Sequence, residues 1–323
     1  MADQRIRVII DNDYSGDPDG LVQLAHHLLS PSVDIRAVIG SHLRPGDPFD
    51  PSDRTADNAC DRIRDVIVAL GMVADAPPIA VGSNTGLVDR TTPIASAGAR
   101  AIVDEAMRDD DRSLYVCCGA GLTELASAWL LEPRIADRLT LVWIGGLEDP
   151  ALAVPPPVAD PVEYNQNIDV VAAQVVFNES RIPIWQVPRN AYRQALVSNA
   201  EAGMRIRPHG AIGSLLCDSI DRVADLAGRH GLPLGETYVY GDSPLVLLTA
   251  LQSSFQPDPS SSEYAVRPAP RIRDDGTADF GAGDFGAGAG SGGVGRPIRV
   301  YTRLDLRLMF EDLFAKLAAT ARR

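Results

Sequence analysis

The chain has 323 residues, 45% of them hydrophobic, which is enough to build the core of one large α/β domain or of two smaller ones. Its formal net charge of −13 disfavours partners that carry phosphate backbones, and it disfavours anionic membrane surfaces as well. The N-terminal residues contain no apolar stretch of signal-peptide length, and no segment is long and apolar enough to span a bilayer. We therefore expect a cytoplasmic protein with neither nucleic acid nor membrane partners.

Short β-branched runs alternate with helical patterns along most of the chain. Strands are predicted over 7–10, 35–39, 114–118, 139–144, 183–187 and 297–301. Helices are predicted over 21–29, 57–70, 96–107, 122–131, 170–177 and 304–319. This alternation is typical of βαβ units, and it predicts one α/β domain over 1–323 with a mainly parallel, Rossmann-like central sheet flanked by helices.

Three segments interrupt this alternation. Residues 147–163 include three consecutive prolines and are predicted to form an extended loop near the site. Residues 192–236 are predicted to form a helical insertion. Residues 276–296 are so rich in glycine that they predict a flexible loop without chemistry of its own.

An aspartate-rich turn follows the first predicted strand. The apolar run that ends at Ile10 leads directly into Asp11, Asp13, Asp17 and Asp19, with no cation among them. Carboxylates this close raise one another's pKa unless a cation is bound. Hard oxygen ligands on a turn with glycine and proline suit Ca²⁺ or Mg²⁺ better than zinc. The alternative is a solvated acidic turn that caps the following helix.

Four motifs, taken in order, resemble those of the nucleoside hydrolases of the inosine/uridine-preferring type. They are the DNDYSGDPD turn, GAGLTELASAWLLEPRIADRLTLVWIGG from Gly119, VEYNQNIDVVAAQVVFNESRIPIWQVP from Val162, and Gly241-Asp242-Ser243-Pro244. The resemblance implies the nucleoside hydrolase fold and calcium-dependent hydrolysis of the N-glycosidic bond of a ribonucleoside or related N-riboside. It also implies a small-molecule substrate, release of free base and ribose, and a homo-oligomeric assembly.

The resemblance assigns a metal site to matched residues. Asp13 would be a calcium ligand and the base that activates the attacking water. Thr123, through its main-chain carbonyl, and Asp242 would contribute further ligands. The turn has one residue more than the family pattern, so either Asp17 or Asp19 can be the principal remaining ligand. Asp17 is also a candidate to bind a ribose hydroxyl.

Substrate contacts follow from the same resemblance. Glu163 and Asn165 match residues that bind the sugar hydroxyls, and a carboxylate and an amide suit that task chemically. Ser41, Trp185 and Tyr240 are further candidates for substrate contact. Gly241 stands where the family has a histidine that helps the base to leave, so the residue that assists departure is undefined.

Two other functions fit parts of the sequence. An aspartate-nucleophile phosphohydrolase also begins with a strand and Asp-x-Asp, but it needs a lysine in its site. Lys316, the only lysine, is poorly placed to supply that charge. A ribosyl- or sugar-binding protein with weak turnover is favoured by Gly241 and disfavoured by the retained acidic residues. His26 and His27 lie beside leucines on a predicted helix and are interpreted as structural.

Overall fold

The computed structural model describes residues 4–229, 231–232, 235–253, 255, 258, 260–281 and 293–320. Its strands, in chain order, are β1 (Ile6–Asn12), β2 (Val33–Gly40), β3 (Ile79–Val81), β4 (Leu114–Cys118), β5 (Thr140–Ile144), β6 (Ile184–Val187), β7 (Leu196–Ser198), β8 (Thr237–Val239), β9 (Glu263–Pro268), β10 (Arg271–Ile272), β11 (Ala278–Asp279) and β12 (Pro297–Arg303).

Helices connect most of these strands. They are α1 (Asp19–Leu28), α2 (Thr55–Ala69), α3 (Ala97–Ala106), α4 (Thr123–Leu131), α5 (Tyr164–Ile168), α6 (Val170–Gln174), α7 (Arg189–Tyr192), α8 (Asn199–Arg205), α9 (Gly210–Arg229), α10 (Pro244–Thr249) and α11 (Leu306–Thr320). A turn of π-helix at Val175–Glu179 continues α6.

The central sheet has the strand order β3-β2-β1-β4-β5-β6-β12-β9. Its neighbouring strands are parallel except for β9, which runs antiparallel to β12. The order of the first six strands is that of doubly wound α/β folds, in which the connections change direction between β1 and β4. Loops after β1 and β4 diverge at that point and leave a crevice at the carboxyl edge of the sheet.

Successive residues of β1 pack on opposite faces of the sheet, as the twofold repeat of a strand requires. Val8 and Ile10 belong to one apolar core, which also contains buried residues of α1, α2 and α9 to α11. Ile9 belongs to a second core, with buried residues of α3, α4 and α6. Because both faces are covered, the middle of the strand is the apolar run from Val8 to Ile10, and polar Asp11 and Asn12 form its carboxyl end.

The predicted fold class is confirmed: the structure is α/β with a mainly parallel sheet flanked by helices. The sequence did not reveal β3 or β9. Both lie at the edges of the sheet; β3 has only three residues, and β9 is half-exposed without a continuous apolar run. The predicted helical insertion over 192–236 does contain α8 and α9, but it begins with β7, which pairs with β8 outside the main sheet.

The two ends of the segment 276–296, which is predicted to be a flexible loop, make defined contacts in the structure. Residues 271–279 form the β10–β11 hairpin. At the other end, the amide of Gly293 donates to the carbonyl of Asn178 at 2.7 Å, and the Arg296 guanidinium donates to the Phe177 carbonyl at 2.8 Å. Backbone and arginine hydrogen bonds therefore order residues whose composition alone predicts no packing. The middle of the predicted loop, 282–292, lies outside the described residues.

Candidate functional site

A cavity of about 330 Å³ lies at the carboxyl edge of the sheet, where β1, β4 and β5 end. The carboxylates that line it are Asp13, Asp17, Asp19, Glu163 and Asp242. The first three follow β1, whereas Asp242 comes from the segment between β8 and α10. The fold thus brings together five acidic residues that are separated by up to 229 positions in the sequence.

Hydrogen bonds fix the turn after β1. The main-chain carbonyl of Asp13 accepts from the amide of Gly16 at 2.7 Å, and the Asn12 Oδ1 accepts from the Asp13 amide at 2.9 Å. The Asp17 carboxylate accepts from the Asp19 amide at 3.3 Å and from the Tyr238 hydroxyl at 2.7 Å. Asp17 and Asp19, the two candidates for the remaining metal ligand, both line the same cavity.

Burial and mutual repulsion destabilise the charged forms of these aspartates. Burial is the main cause that raises the pKa of Asp13 and Asp19 well above the ordinary value, and repulsion by Asp242 and Asp17 adds to it. Burial likewise raises the pKa of Asp242 to about 7. The pKa of Glu163 is also raised by burial. The site is consequently a pocket of negative charge that a cation would stabilise.

The donor set of the cavity fits a hard cation such as calcium, because its ligating atoms are carboxylate oxygens. Yet no group of three or more His, Cys, Asp or Glu side chains in the described ranges is arranged as a ready metal site. Hydrogen bonds within the protein already engage several of the oxygens. Asp242 Oδ2 accepts from Asn12 at 2.8 Å, and Asp19 Oδ2 accepts from the Asp242 amide at 3.1 Å. The negative charge and the carboxylate oxygens of the cavity therefore fit a calcium ion, although the side chains are not yet arranged around one point.

Thr123 begins α4 and is buried beside the cavity. Its hydroxyl donates to Asp169 at 2.7 Å and lies 2.9 Å from Nε2 of His42. Asp169 in turn caps α6 by accepting from the amide of Ala172 at 2.9 Å. The Thr123 hydroxyl is therefore occupied by hydrogen bonds within the protein. The ligand role that the resemblance implies falls to its main-chain carbonyl.

Glu163 and Asn165 line the cavity at the start of α5, far from the aspartate turn in the sequence. Glu163 accepts from the amide of Gly146 at 2.8 Å and from the hydroxyl of Tyr192 at 2.7 Å. Asn165 Nδ2 donates to the carbonyls of Gly119 and Ile144 at 3.0 and 2.8 Å. Both amide hydrogens are thus used, so Asn165 can offer a ligand only its carbonyl oxygen.

Three predicted substrate contacts are not brought into the cavity. Ser41 is buried and its hydroxyl donates to the Asp11 carboxylate, so it links the ends of β1 and β2. The Trp185 ring packs on the face of the sheet, 5.1 Å from the ring of Tyr115, because its position within β6 directs it away from the strand end. Tyr240 is buried between other aromatic rings.

Four aromatic or charged residues that line the cavity were not predicted as site residues: Phe49, Tyr164, Tyr192 and Arg193. Tyr164 lies between two predicted contacts, and its hydroxyl donates to Asp47 at 2.7 Å. Tyr192 and Arg193 follow β6 at the carboxyl edge of the sheet, where ligands of open α/β sheets bind. Phe49 lies in the long segment between β2 and α2, where no local pattern marks it.

A chain of buried hydrogen bonds leads from Asp242 into the protein. Asn12 donates to Asp242 at 2.8 Å and to Gln23 at 3.4 Å. The Gln23 amide contacts Nδ1 of His27, and Nε2 of His27 lies 2.9 Å from the hydroxyl of Thr249. Burial lowers the pKa of His27 to about 3, so the imidazole is neutral. This chain holds Asn12 in place beside two of the site's aspartates.

We expect the substitution Asn12→Ala to cost about 1 to 3 kcal/mol of stability, because it leaves the buried carboxylate of Asp242 without its donor. The free energy of unfolding in urea measures this loss. The matched control is Asn58→Ala, since the amide of Asn58 donates to Asp50 at 2.8 Å near the surface. Equal stabilities of the two variants would contradict this assignment to Asn12.

In the portion of the chain that the structure covers, no helix combines the length and the apolar character that a membrane crossing needs.

Residues 8–265 match the family model described as inosine-uridine preferring nucleoside hydrolase. Two curated proteins with that same description share shorter segments with the chain. The one from Crithidia fasciculata is 39% identical over 89 residues (27% of this chain, 25% of the relative), and the one from Leishmania major is 40% identical over 87 residues (27% and 25%). The chain thus matches about a quarter of the length of these relatives.

Solved structures resemble the whole chain in fold. A plant nucleoside hydrolase has a TM-score of 0.70 at 17% identity and covers 97% of this chain and 99% of its own. A purine-preferring ribonucleoside hydrolase from Gardnerella vaginalis has a TM-score of 0.72 at 15% identity, with 98% and 99% covered. A protein described as an effector has a TM-score of 0.61 at 15% identity, with 99% and 95% covered. At such identities the likeness shows a common fold.

Proposed function

The chain belongs to the inosine-uridine preferring nucleoside hydrolase family, and we propose that it hydrolyses the N-glycosidic bond of a ribonucleoside or related N-riboside to free base and ribose. The observation that carries the proposal is the cavity of about 330 Å³ at the sheet edge, which buried Asp13 lines together with Glu163 and Asn165. Carboxylate and amide groups around such a space suit a ligand rich in hydroxyls.

In the proposed reaction, Asp13 is the general base. Water attacks the anomeric carbon while the Asp13 carboxylate takes one of its protons. The carbon–nitrogen bond breaks, and its electron pair leaves with the base. The developing positive charge on the sugar is stabilised by the surrounding carboxylates, as in other glycoside hydrolyses. The Asn12 hydrogen bond to the Asp13 amide keeps this base in position.

We propose calcium as the cofactor, held by Asp13, Asp17, Asp19, Asp242 and the carbonyl of Thr123. The ion would supply fixed positive charge that orients water and sugar hydroxyls in the site. Support comes from the four buried or half-buried aspartates of the cavity, whose mutual repulsion a divalent cation relieves. Asp17 can also contribute to ribose binding, because its second oxygen is not engaged by Tyr238.

The substitution Glu163→Gln tests ribose recognition. It removes a charge-assisted hydrogen bond to a sugar hydroxyl, and such bonds are worth about 1.5 to 3 kcal/mol, so KM for a ribonucleoside should rise roughly 10-fold or more. Steady-state kinetics with a ribonucleoside and with its 2′-deoxy and 3′-deoxy analogues measure the effect. The matched control is Glu179→Gln, a carboxylate that instead faces Arg90 at 3.3 Å. An unchanged KM for the Glu163 variant would refute its role in ribose binding.

A second candidate function is a sugar-binding protein with weak turnover. Gly241 in place of the family's histidine favours it, and the same fold occurs in a protein described as an effector. Ribose binding in calorimetry, without release of base from any nucleoside, would identify this case. An aspartate-nucleophile phosphohydrolase is not supported, because Lys316 lies on α11 and donates to Ser30 at 2.8 Å, away from the cavity. Cytoplasmic location and homo-oligomeric assembly stay predictions.

A further inference from the structure

The leaving-group side of the cavity is built differently from the family pattern. A Cβ atom at Gly241 would lie 3.2 Å from Oδ2 of Asp19 and 3.3 Å from Cδ2 of Tyr192. These contacts are tight, and the aromatic ring of Tyr192 therefore occupies the space beside position 241. The proposed hydrolysis therefore needs another residue to assist the departing base.

The other neutral donors that line the cavity are already engaged. The hydroxyl of Tyr192 donates to Glu163, and the hydroxyl of Tyr164 donates to Asp47, each at 2.7 Å. Burial and neighbouring carboxylates raise the pKa of both phenols, so they hold their protons tightly. Asn165 uses both of its amide hydrogens on main-chain carbonyls.

Arg193 differs from these residues. It lines the cavity at the end of α7, next to Tyr192, and its side chain is exposed. Within the described residues its guanidinium makes no direct hydrogen bond, and its charge acts on Glu148 only from a longer distance, whereas Arg189 of α7 contacts Glu148 at 2.8 Å. Among the described residues that line the cavity, Arg193 is also the single cation.

We propose that Arg193 stabilises the departing base; this inference rests on the proposed hydrolase function. As the carbon–nitrogen bond breaks, the base takes the electron pair and becomes an anion. The Arg193 guanidinium donates N–H hydrogen bonds to an acceptor atom on the edge of that base and offsets its negative charge. Arginine keeps its own proton, so the base is protonated by solvent after release. The preferred substrates are ribosides whose base can leave as a hydrogen-bonded anion.

Phe49 supports this placement of the base. It lines the cavity together with Arg193 and also borders the neighbouring hollow beside α9. A half-exposed aromatic ring at that point offers a planar base an apolar face. The ring and the guanidinium therefore present two complementary contacts, one to the face of the base and one to its edge.

Substrates with different leaving groups test the proposal. Inosine and uridine need help at the leaving base, whereas p-nitrophenyl riboside releases a stable phenolate unaided. The substitution Arg193→Ala should lower kcat on the nucleosides by about 10²-fold, the usual cost of losing one donor to a developing anion. Its kcat on p-nitrophenyl riboside should stay close to wild type, and Arg193→Lys should recover part of the nucleoside activity.

The control variant is Gln194→Ala, whose side chain donates to the Asn190 carbonyl at 2.7 Å and does not line the cavity. Equal losses on both substrate types, or no loss on nucleosides, would overturn the assignment to Arg193. So would a selective loss of nucleoside hydrolysis in Tyr192→Phe with Arg193→Ala unaffected. Wild-type protein that hydrolyses neither substrate would refute the proposed function itself. Melting temperatures equal to wild type show that each variant is folded.

Discussion

Replacing Asp13 by asparagine is expected to lower kcat by about 10²- to 10⁴-fold, the range for removal of a general base. Asparagine keeps the shape of the side chain but cannot take a proton from water. The variant should keep the main-chain contacts of the turn, because Asn12 and Gly16 bond to the backbone of residue 13. Release of free base under saturating substrate measures the loss.

The stability of this variant separates a catalytic role from a structural one. Asp13 is buried, and repulsion by Asp242 and Asp17 raises its pKa, so the neutral substitute should make the metal-free protein more stable at pH 7. The control Asp53→Asn lies on the surface and should change neither activity nor melting temperature. An Asp13→Asn variant with wild-type turnover would exclude Asp13 as the base.

The proposed calcium site predicts that chelation abolishes turnover and makes stability depend strongly on pH. In the metal-free protein, burial raises the pKa of Asp242 from 3.8 to about 7. Above pH 4 the unfolded chain loses this proton more readily than the folded chain does, so the contribution of this carboxyl to folding stability is complete below pH 4 and is lost as pH rises towards 7. The raised pKa values of Asp13 and Asp19 act in the same direction.

Melting temperatures of the chelated protein between pH 4.5 and 8 measure this trend. Each 1 kcal/mol of lost stability lowers the melting temperature of a protein of this size by roughly 2 °C. Calcium should raise the melting temperature most at the upper end of the range, because it binds the ionised carboxylates. Asp242→Asn should flatten the curve of the metal-free protein. A melting temperature of chelated wild type that rises with pH would contradict the electrostatic account of the site.

The parts of the molecule that sequence predicts well depend on local patterns. The apolar strand β1 and its aspartate turn are contiguous, and parallel topology then places Asp13, Asp17 and Asp19 at the sheet edge. Glu163 and Asn165 stand in one short motif, and both line the cavity. Each of these placements follows from a few neighbouring residues together with one rule of sheet topology.

What the sequence does not reveal depends on contacts between distant segments. Tyr192 reaches Glu163 only because the chain folds back after β6, and Phe49 enters the cavity from a segment without regular structure. Trp185 and Tyr240 show the opposite error. Both are aromatic and close in sequence to the strand ends, yet their rings are used by the packing of neighbouring aromatic side chains. Residue type and proximity in sequence do not decide the direction of a side chain.

The most direct test of the central claim is the joint release of free base and ribose from purine and pyrimidine ribonucleosides, with calcium present and after chelation. The proposed function predicts equal amounts of base and ribose from at least one nucleoside, with loss of both when calcium is removed and recovery when it is restored. Calcium binding without base release from any nucleoside would contradict nucleoside hydrolysis, and release that persists after chelation would contradict the calcium-dependent site.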